Sequence, residues 1–314
     1  MDKIIEVEEL KKYFGKVKAV DGISFSVDKG ELFGFLGVNG AGKSTTINML
    51  CTLFAPTGGK AKICGFDLEK DAEQIKRRIG IVYQNNCLDE RLSVKENLTV
   101  WSNLYGLTNR EQKTRLAQIS NILELDDILG RRFGKLSGGQ KRRCEIAKAL
   151  MHRPEILFLD EPTTGLDPAT RKSVWETVEK LRSEMGMTVF LTTHYMEEAA
   201  RAGSIAIIDG GRLKETGTPF TLKERYALDK LYLIPRAGRE NVLSDYLADK
   251  KTACKKKEDR LVIRLENSME ALGMLEDIKD HIEGFEVMQG TMDDVFLQIT
   301  GKDATEEIAS EGIS

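Results

Sequence analysis

Residues 32–44 read LFGFLGVNGAGKS, and this stretch decides the fold. The first five residues form a short apolar run, and the remainder fits the pattern G-x-x-x-x-G-K-[ST]. Glycines in such a turn let consecutive backbone N–H groups point inward and form a cradle for an anion. A helix pattern continues from Lys43 to about Leu53, so the positive end of the helix dipole would face bound phosphates. Because the motif requires a strand before it and a helix after it, we predict a phosphate-binding loop rather than an incidental glycine turn.

The loop has chemically suitable partners further along the chain. Lys43 would reach the β- and γ-phosphates, and the Ser44 hydroxyl would ligate Mg²⁺. The segment ILFLDE at residues 156–161 delivers Asp160 to the carboxyl end of a strand, where open α/β sheets bind ligands. Asp160 would hold Mg²⁺ through its water shell, and Glu161 would accept a proton from, or orient, the attacking water. Taken alone, the acidic pair would equally well end a strand, but the upstream phosphate loop favours a nucleotide site.

The segment LSGGQ at residues 136–140 is a second unusual pattern. Ser137 and Gln140 form a capping box that explains the serine and the glutamine. It does not explain the two glycines between them, each of which costs a helix about 1 kcal/mol relative to alanine. Glycines at this helix tip would let a phosphate approach closely. Since the chain already has a complete phosphate loop, a second anion site indicates that it is used in trans.

These segments, together with LDEPTTGLDP at residues 159–168, resemble the ATP-binding cassette of ABC transporters over roughly residues 3–225. The resemblance implies a P-loop NTPase fold with a RecA-like α/β core, a small antiparallel β subdomain and a helical insertion at about 85–135. The alternation of predicted strands and helices independently indicates a doubly wound α/β sheet. Ser93 and Glu96 predict a capping box at the start of the insertion.

The expected domain organisation follows from where this pattern ends. We predict a cassette over residues 1–226, a small C-terminal α/β accessory domain over 227–302, and a frayed tail over 303–314. In the accessory domain, strands are expected at 231–234 and 261–265 and helices at 239–248, 268–281 and 291–299. The run Lys255-Lys256-Lys257 between them reads as solvated surface.

Two cassettes of the resembled family hold two ATP molecules head to tail, which assigns roles in this sequence. Residues 137–140 would contact the γ-phosphate held by a second copy. Gln84 would touch Mg²⁺ or the attacking water and adjoin the membrane partner, His194 would contact the γ-phosphate, and Asp167 would lie in the loop linking the two sites. Each has a simpler alternative: a polar residue after a strand for Gln84, a structural histidine for His194, and a helix N-cap for Asp167.

An aromatic side chain that stacks on adenine is also implied, and the register allows either Phe14 or Tyr13, for which a core role is the alternative. The resemblance thus implies catalytic roles for Glu161, His194 and Gln84 and a Mg²⁺ site of Ser44, Gln84 and Asp160. The nucleotide-contacting set is Tyr13, Phe14, Gly37, Val38, Asn39, Gly40, Ala41, Gly42, Lys43, Ser44, Thr45, Ser137, Gly138, Gly139, Gln140 and Asp167.

Composition narrows the classes of partner. Of the 314 residues, 41% are hydrophobic and 31% are charged, and the net charge is −3. Proteins that bind nucleic acid carry an excess of Lys and Arg on one face, and this net charge does not indicate one. The five cysteines lack metal-like spacing, so we expect a reducing compartment and no disulfide framework. Acidic residues come too early for a signal peptide, and no run of about 18 apolar residues predicts a membrane span. If a membrane is involved, the spanning part is another chain.

The expected function is therefore an ATP-hydrolysing subunit at the cytoplasmic face of a membrane, working as a homodimer or as a heterodimer with a second cassette. Its partner would be a separate membrane-spanning permease. The segment TMDDVFL at residues 291–297 resembles a C-terminal pattern of daunorubicin-resistance-like drug-export ATPases, although it also reads as a packing helix with Thr291 as N-cap. The alternative is a soluble ABC ATPase acting on ribosomes, DNA or cofactor assembly. An ATP sensor without turnover would need a lost Glu161 or His194, and both are present.

Overall fold

The computed structural model describes residues 2–250, 252, 254–257 and 259–301, and these divide into two compact units. The division falls between Thr218 and Pro219, earlier than the predicted boundary at residue 226. The helix Pro219–Tyr226 belongs to the second unit because it packs against the helix Met292–Thr300. The predicted tail at 303–314 lies outside the described residues. None of the described helices is both long and apolar enough to cross a bilayer.

Within residues 2–218, strands and helices alternate along most of the chain. The strands are β1 Lys3–Phe14, β2 Val17–Asp28, β3 Leu32–Leu36, β4 Gly58–Ile63, β5 Phe66–Asp67, β6 Ile79–Val82, β7 Ile156–Asp160, β8 Thr188–Thr193, β9 Ser204–Asp209 and β10 Arg212–Gly217. The helices are α1 Lys43–Leu50, α2 Ala72–Lys76, α3 Val94–Leu104, α4 Asn109–Leu123, α5 Gly138–Leu150, α6 Pro168–Met185 and α7 Met196–Ala199, with short 3₁₀ turns at Asp126–Ile128 and Phe133–Lys135.

The core of the first unit is a six-stranded sheet in the order β10-β9-β3-β8-β7-β6. The pairs from β9 to β6 are parallel, and β10 joins β9 as an antiparallel hairpin strand. Strands β3, β7 and β8 are buried at every residue, as expected for parallel strands covered on both faces. This arrangement confirms the predicted α/β sheet.

A second, antiparallel sheet of the first unit has the order β2-β1-β4-β5. Between β6 and α5 the chain is helical, as predicted for the insertion. Its helix α3 begins with the predicted capping box, in which Ser93 and Glu96 each accept a hydrogen bond from the other's backbone N–H. Thr108 caps α4 in the same way with Glu111. Local side-chain chemistry therefore sets where these helices begin.

The second unit is a βαββαβ sandwich followed by a last helix. Its antiparallel sheet has the order β12-β13-β11-β14, which is the ferredoxin-like arrangement. The leucines and isoleucines facing the helices form its core, and Val295 and Phe296 of the last helix are fully buried. Thr291 is the N-cap of that helix, as predicted. The elements are α8 Pro219–Tyr226, β11 Asp229–Pro235, α9 Glu240–Asp249, β12 Cys254–Lys257, β13 Arg260–Leu265, α10 Glu270–Ile278, β14 Ile282–Met288 and α11 Met292–Thr300.

Candidate nucleotide-binding site

Four neighbouring parallel strands end at the same edge of the large sheet, and each leads into a segment singled out by the sequence. In the order β3, β8, β7, β6, these segments are the phosphate loop, His194, the Asp160–Glu161 pair and Gln84. The register places Leu36 opposite Thr193 and Asp160 opposite Thr192, so the strand ends are level. Residues separated by more than a hundred positions are thereby brought side by side at the edge where such sheets bind ligands.

The phosphate loop wraps around its own lysine. Lys43 is only 4% exposed, and its Nζ donates hydrogen bonds to the carbonyl oxygens of Gly37 at 2.7 Å and Val38 at 3.1 Å. Gly42 adopts a φ of 110°, and a Cβ atom there would lie 2.5 Å from the carbonyl oxygen of Ala19. Glycine is therefore required at this point by both backbone conformation and close approach. The loop has the shape of a cradle that an added side chain would disrupt.

Two of the three residues predicted to hold Mg²⁺, Ser44 and Asp160, are in contact. The Ser44 hydroxyl donates to Asp160 Oδ1 at 3.4 Å, and the Thr192 hydroxyl donates to the same oxygen at 2.6 Å. Hydroxyl and carboxylate oxygens are the hard donors that Mg²⁺ prefers. Among the described residues, no cluster of three His, Cys, Asp or Glu side chains could hold a metal unaided. The donor set thus fits an ion that takes its other ligands from phosphate oxygens and water.

Glu161 stands at the centre of the site. Its backbone has a φ of 45°, a region that costs a non-glycine residue roughly 1–3 kcal/mol, and its N–H is held by the Thr192 side chain at 3.1 Å. Its Oε1 lies 3.1 Å from Lys43 Nζ, and its Oε2 accepts a hydrogen bond from Thr164 Oγ1 at 3.2 Å and lies 3.3 Å from His194 Nδ1. Strain of this kind persists only where the surroundings hold it, which is typical of functional sites.

The electrostatics around Glu161 favour its ionised form. Burial raises the pKa of this carboxyl, but the close approach of His194 and the neighbouring ammonium of Lys43 outweigh it, so that the pKa falls from 4.5 to about 2. The His194 ring lies over Tyr195, with centroids 4.2 Å apart. Glu161 is therefore a carboxylate at neutral pH, which a proton acceptor or water-orienting group must be.

Two residues that the sequence analysis did not identify stabilise this edge of the sheet through hydrogen bonds. Thr192 connects the side chain of Asp160 to the backbone of Glu161, as described above. Glu198 is buried and accepts hydrogen bonds from Thr193 at 2.7 Å, from Trp175 at 3.3 Å and from Thr163. It ties the loop after β7 to the end of β8.

The tip of α5 has the predicted capping box, with Ser137 N donating to Gln140 Oε1 at 3.1 Å and Gln140 N to Ser137 Oγ at 3.4 Å. A Cβ at Gly139 would lie 2.9 Å from Thr170 Cγ2, so helix packing against α6 requires this glycine within the chain itself. The sequence interpretation had attributed both glycines to phosphate approach. Gly138 is exposed, and a Cβ there would meet only the end of the Leu166 side chain, at 3.3 Å.

Asp167 lies beside this tip and caps α6, accepting hydrogen bonds from the backbone N–H groups of Ala169 at 3.1 Å and Thr170 at 3.0 Å. Hydrogen bonds with Thr170 lower the pKa of Asp167. Within one chain, Asp167 therefore acts as a helix N-cap, which is the simpler alternative given for it in the sequence analysis. Leu166 and Thr170 approach Gly138 and Gly139, so Asp167 lies close to residues 137–140.

Gln84 is exposed, one residue beyond the end of β6 and Tyr83.

The two candidate aromatic residues differ in their surroundings. The Tyr13 hydroxyl donates to Asp21, and this hydrogen bond raises the pKa of Tyr13. Phe14 is 47% exposed at the end of the β1–β2 hairpin and meets Phe54 edge-on, with ring centroids 5.7 Å apart. The same hairpin brings Ala19 against the phosphate loop. Phe14 is thus the more exposed of the two aromatic residues, and the ammonium of Lys12 lies 5.1 Å from the centroid of its ring.

Comparison with known proteins agrees with this geometry. The ABC transporter family model matches residues 20–164. The daunorubicin/doxorubicin resistance ATP-binding protein DrrA of Streptomyces peucetius is 38% identical over 324 aligned residues, covering 98% of this chain and 97% of DrrA. The linearmycin resistance ATP-binding protein LnrL of Bacillus subtilis is 43% identical, covering 75% of this chain and 76% of LnrL. The probable multidrug ABC transporter ATP-binding protein YbhF of Escherichia coli is 41% identical, but the match spans only 39% of YbhF.

Solved structures match about seven tenths of the chain. CbiO1 of Clostridium perfringens, part of an ABC transporter complex, has a TM-score of 0.66 at 28% identity, covering 71% of this chain and 91% of that one. A dimeric post-hydrolysis state of the ATP-binding cassette MJ0796, bound to ADP and Pi, has a TM-score of 0.61 at 26% identity, covering 68% and 98%. The chain belongs to the ABC transporter family and carries its nucleotide-binding, ATP-hydrolysing cassette.

Proposed function

We propose that this chain is the ATP-driven motor subunit of a membrane exporter. The observation that carries the proposal is the position of the Glu161 carboxylate, ionised and held between Lys43 and His194 at the end of the central sheet. Phosphoryl transfer needs charge stabilisation and a positioned water more than covalent chemistry. A lysine, a histidine and a carboxylate converging on one phosphate cradle supply these functions.

In the proposed mechanism, the N–H groups of residues 37–45 and the ammonium of Lys43 bind the β- and γ-phosphates. Ser44 and Asp160, with Gln84, would hold Mg²⁺, which when bound neutralises charge on the phosphate oxygens. Glu161 accepts a hydrogen bond from the attacking water and takes up its proton, and His194 donates to the γ-phosphate. Phe14 supports the adenine ring by stacking.

The exposed tip of α5 supports a head-to-tail pair of cassettes. Ser137 and Gly138 present a helix N-terminus, where orphan N–H groups and the dipole attract an anion. We propose that this tip contacts the γ-phosphate bound by a second cassette, with Asp167 at the same junction. The dimeric state of MJ0796 with ADP and Pi supports the arrangement.

The proposed partner is a separate membrane-spanning permease, with this subunit bound at the cytoplasmic face. The names of DrrA and LnrL place those relatives in drug and antibiotic resistance, and the match to DrrA includes the second unit as well as the cassette. We therefore propose an amphiphilic drug or antibiotic as the class of exported substrate.

The test is to co-express the chain with the membrane protein encoded beside it and to measure drug efflux from cells together with ATP hydrolysis by the purified complex. ATP-dependent efflux that Glu161→Gln abolishes, from a complex containing both chains, is the expected result. A stable complex with a ribosomal or other non-membrane assembly, and no association with the permease, would favour the soluble alternative. The stoichiometry of the purified complex also distinguishes a homodimer from a heterodimer.

A further inference from the structure

Helix α5 carries a row of charged side chains that the mechanism above does not use. Arg142, Glu145 and Lys148 follow one another at intervals of three residues, so they share a face of the helix. All three are buried, Glu145 completely. Charged side chains are almost never buried to this extent unless they are paired. Their partners therefore indicate what the row is for.

Glu145 holds a segment of chain that has no regular secondary structure of its own. Its Oε1 accepts hydrogen bonds from the backbone N–H groups of Cys87 at 2.6 Å and Leu88 at 3.0 Å. Its Oε2 accepts one from Lys148 Nζ at 2.8 Å. The carboxylate thus accepts the hydrogen bonds of two backbone amides that would otherwise need a partner in a sheet or helix. The anchored residues begin three positions after Gln84.

Arg142 holds the other side of Gln84. Its guanidinium donates to the carbonyl oxygen of Tyr83 at 2.5 Å and to that of Asp160 at 3.4 Å. Burial lowers the pKa of Arg142 to about 10, which still leaves it charged at neutral pH. The residue before Gln84 is therefore tied, through one side chain, to the strand that carries Asp160.

Lys148 completes the row. It is an ion-pair partner for Glu145 and lies over the ring of Trp101 in α3, with Nζ 5.1 Å from the ring centroid. Removing one member of a buried pair leaves the other charge uncompensated, whereas replacing both with apolar groups of similar volume is often tolerated. This asymmetry makes paired substitutions the appropriate test.

We propose that Glu145 is a positioning residue for Gln84: its carboxylate clamps the amides of Cys87 and Leu88 and so fixes the path of the loop that presents Gln84 to the nucleotide site. Lys148 pairs with this carboxylate and joins it to α3. The inference rests on the proposed function, because Gln84 is given its role there. Glu145 itself contacts neither nucleotide nor water in this scheme.

Two double variants separate the clamp from the charge pair. Both Glu145→Gln with Lys148→Met and Glu145→Leu with Lys148→Met remove the two charges, but only the glutamine retains an oxygen that can accept from the amides. We expect kcat for ATP to fall roughly tenfold to a hundredfold in the leucine variant, with the Kd for ATP nearly unchanged, because misplacement of a reacting group by about 1 Å has effects of this size. The glutamine variant should restore most of the lost kcat. Equal kcat in the two variants, or a loss confined to ATP affinity, would overturn the proposal.

Hydrogen exchange in the unsubstituted protein tests the clamp without relying on any variant. The amides of Cys87 and Leu88 should exchange at least about tenfold more slowly than those of Asn85 and Asn86 in the same loop, because they are hydrogen-bonded. Exchange at equal rates would mean that the clamp does not persist in solution, and the proposal would be wrong.

The kcat of a Gln84→Ala variant, measured alongside these experiments, distinguishes the inference from the proposed function. If Gln84→Ala leaves kcat unaltered, the role given to Gln84 fails, and protection of Cys87 and Leu88 would then report a clamp without a catalytic consequence. If Gln84→Ala lowers kcat and the leucine variant does not, the function stands and the positioning role of Glu145 falls.

Discussion

The ammonium of Lys43 lies 3.1 Å from the carboxylate of Glu161, although the two residues belong to different strand ends of the sheet. The lysine of the phosphate cradle and the proposed water-activating carboxylate are thus ion-pair partners. In the proposed mechanism the same ammonium also binds the γ-phosphate, so Lys43 would be shared between the nucleotide and Glu161.

Glu161→Gln is expected to retain ATP and lose turnover. The amide cannot accept the proton of the attacking water, so kcat should fall by about 10²–10⁴-fold, and ATP should bind at least as tightly because Lys43 loses a competing partner. Steady-state phosphate release and equilibrium dialysis measure the two effects. Glu197→Gln, which changes an exposed carboxylate three positions after His194, is the matched control and should behave as the unsubstituted protein. Undiminished phosphate release in Glu161→Gln would contradict the assignment.

The stability of the cassette should depend on pH through Glu161. Its pKa is about 2 in the folded state against 4.5 ordinarily, so the folded state prefers the ionised carboxyl. The resulting stabilisation is complete above about pH 4.5 and is lost as the pH falls toward about 2. Urea midpoints measured from about pH 6 to about pH 3 should fall more steeply for the unsubstituted protein than for Glu161→Gln. Asp21, whose pKa is also about 2, contributes equally to both proteins. Parallel pH dependences would show that Glu161 contributes nothing.

Gly138→Asp should block pairing of cassettes in trans. The new carboxylate would face the phosphates bound by the second copy, and these negative charges would repel each other. Size-exclusion chromatography with Mg-ATP, in the slow-hydrolysing Glu161→Gln background, should show a dimer that Gly138→Asp lacks. Gly130→Asp is the control, since it adds the same carboxylate at an exposed glycine outside the helix tip where an added Cβ would meet no other atom. Dimerisation of the aspartate variant would argue against the trans site.

Phe14→Ala should weaken the binding of ATP and leave the binding of inorganic tripolyphosphate unchanged. Stacking of an aromatic ring on a base is worth about 1–3 kcal/mol, and tripolyphosphate has no base to stack. Isothermal titration calorimetry with both ligands makes the comparison. Tyr13→Phe, which removes only the hydroxyl that donates to Asp21, should bind ATP normally. If Tyr13→Ala weakened ATP binding and Phe14→Ala did not, the register would be shifted by one residue.

Features set by local chemistry could be predicted from the sequence. The strand at 156–160 is buried on both faces and therefore reads as a continuous apolar run, and the capping boxes at Ser93 and Ser137 depend only on residues three positions apart. The placement of Asp160 at the binding edge of the sheet followed from the rule that ligands bind at the carboxyl ends of parallel strands.

Other strands have no such signature. Strand β1 alternates buried and charged residues and is interrupted by a register shift near Glu9, whose φ is 47°, so its period of two is broken. The lysine run of β12 was interpreted as solvated surface; its Lys255 and Lys256 are exposed, but the run is an edge strand, where lysines are tolerated because they deter pairing with other chains. The predicted helix at 268–281 ends at residue 278, and β14 follows it.

The supporting residues of the site could not be found from local patterns at all. Thr192 and Glu198 act through contacts that exist only after β7 and β8 pair. Gly139 was interpreted only as a phosphate-approach residue, because the sequence does not show that Thr170 also packs against it. In each case the information lies in the tertiary arrangement, whereas the chemistry-bearing residues themselves were visible in the motifs.

The hydrogen bond from the Trp175 indole to Glu198 has a practical consequence. Glu198 also accepts hydrogen bonds from Thr163 and Thr193. These threonines lie within two positions of Glu161 and His194 along the chain, so the indole and the residues beside the reacting groups bond to the same carboxylate. The chain contains one other tryptophan, Trp101, which lies over Lys148. The protein thus has two intrinsic fluorophores, one reporting on the hydrolytic centre and one on the insertion, whose emission can be followed without attaching any dye.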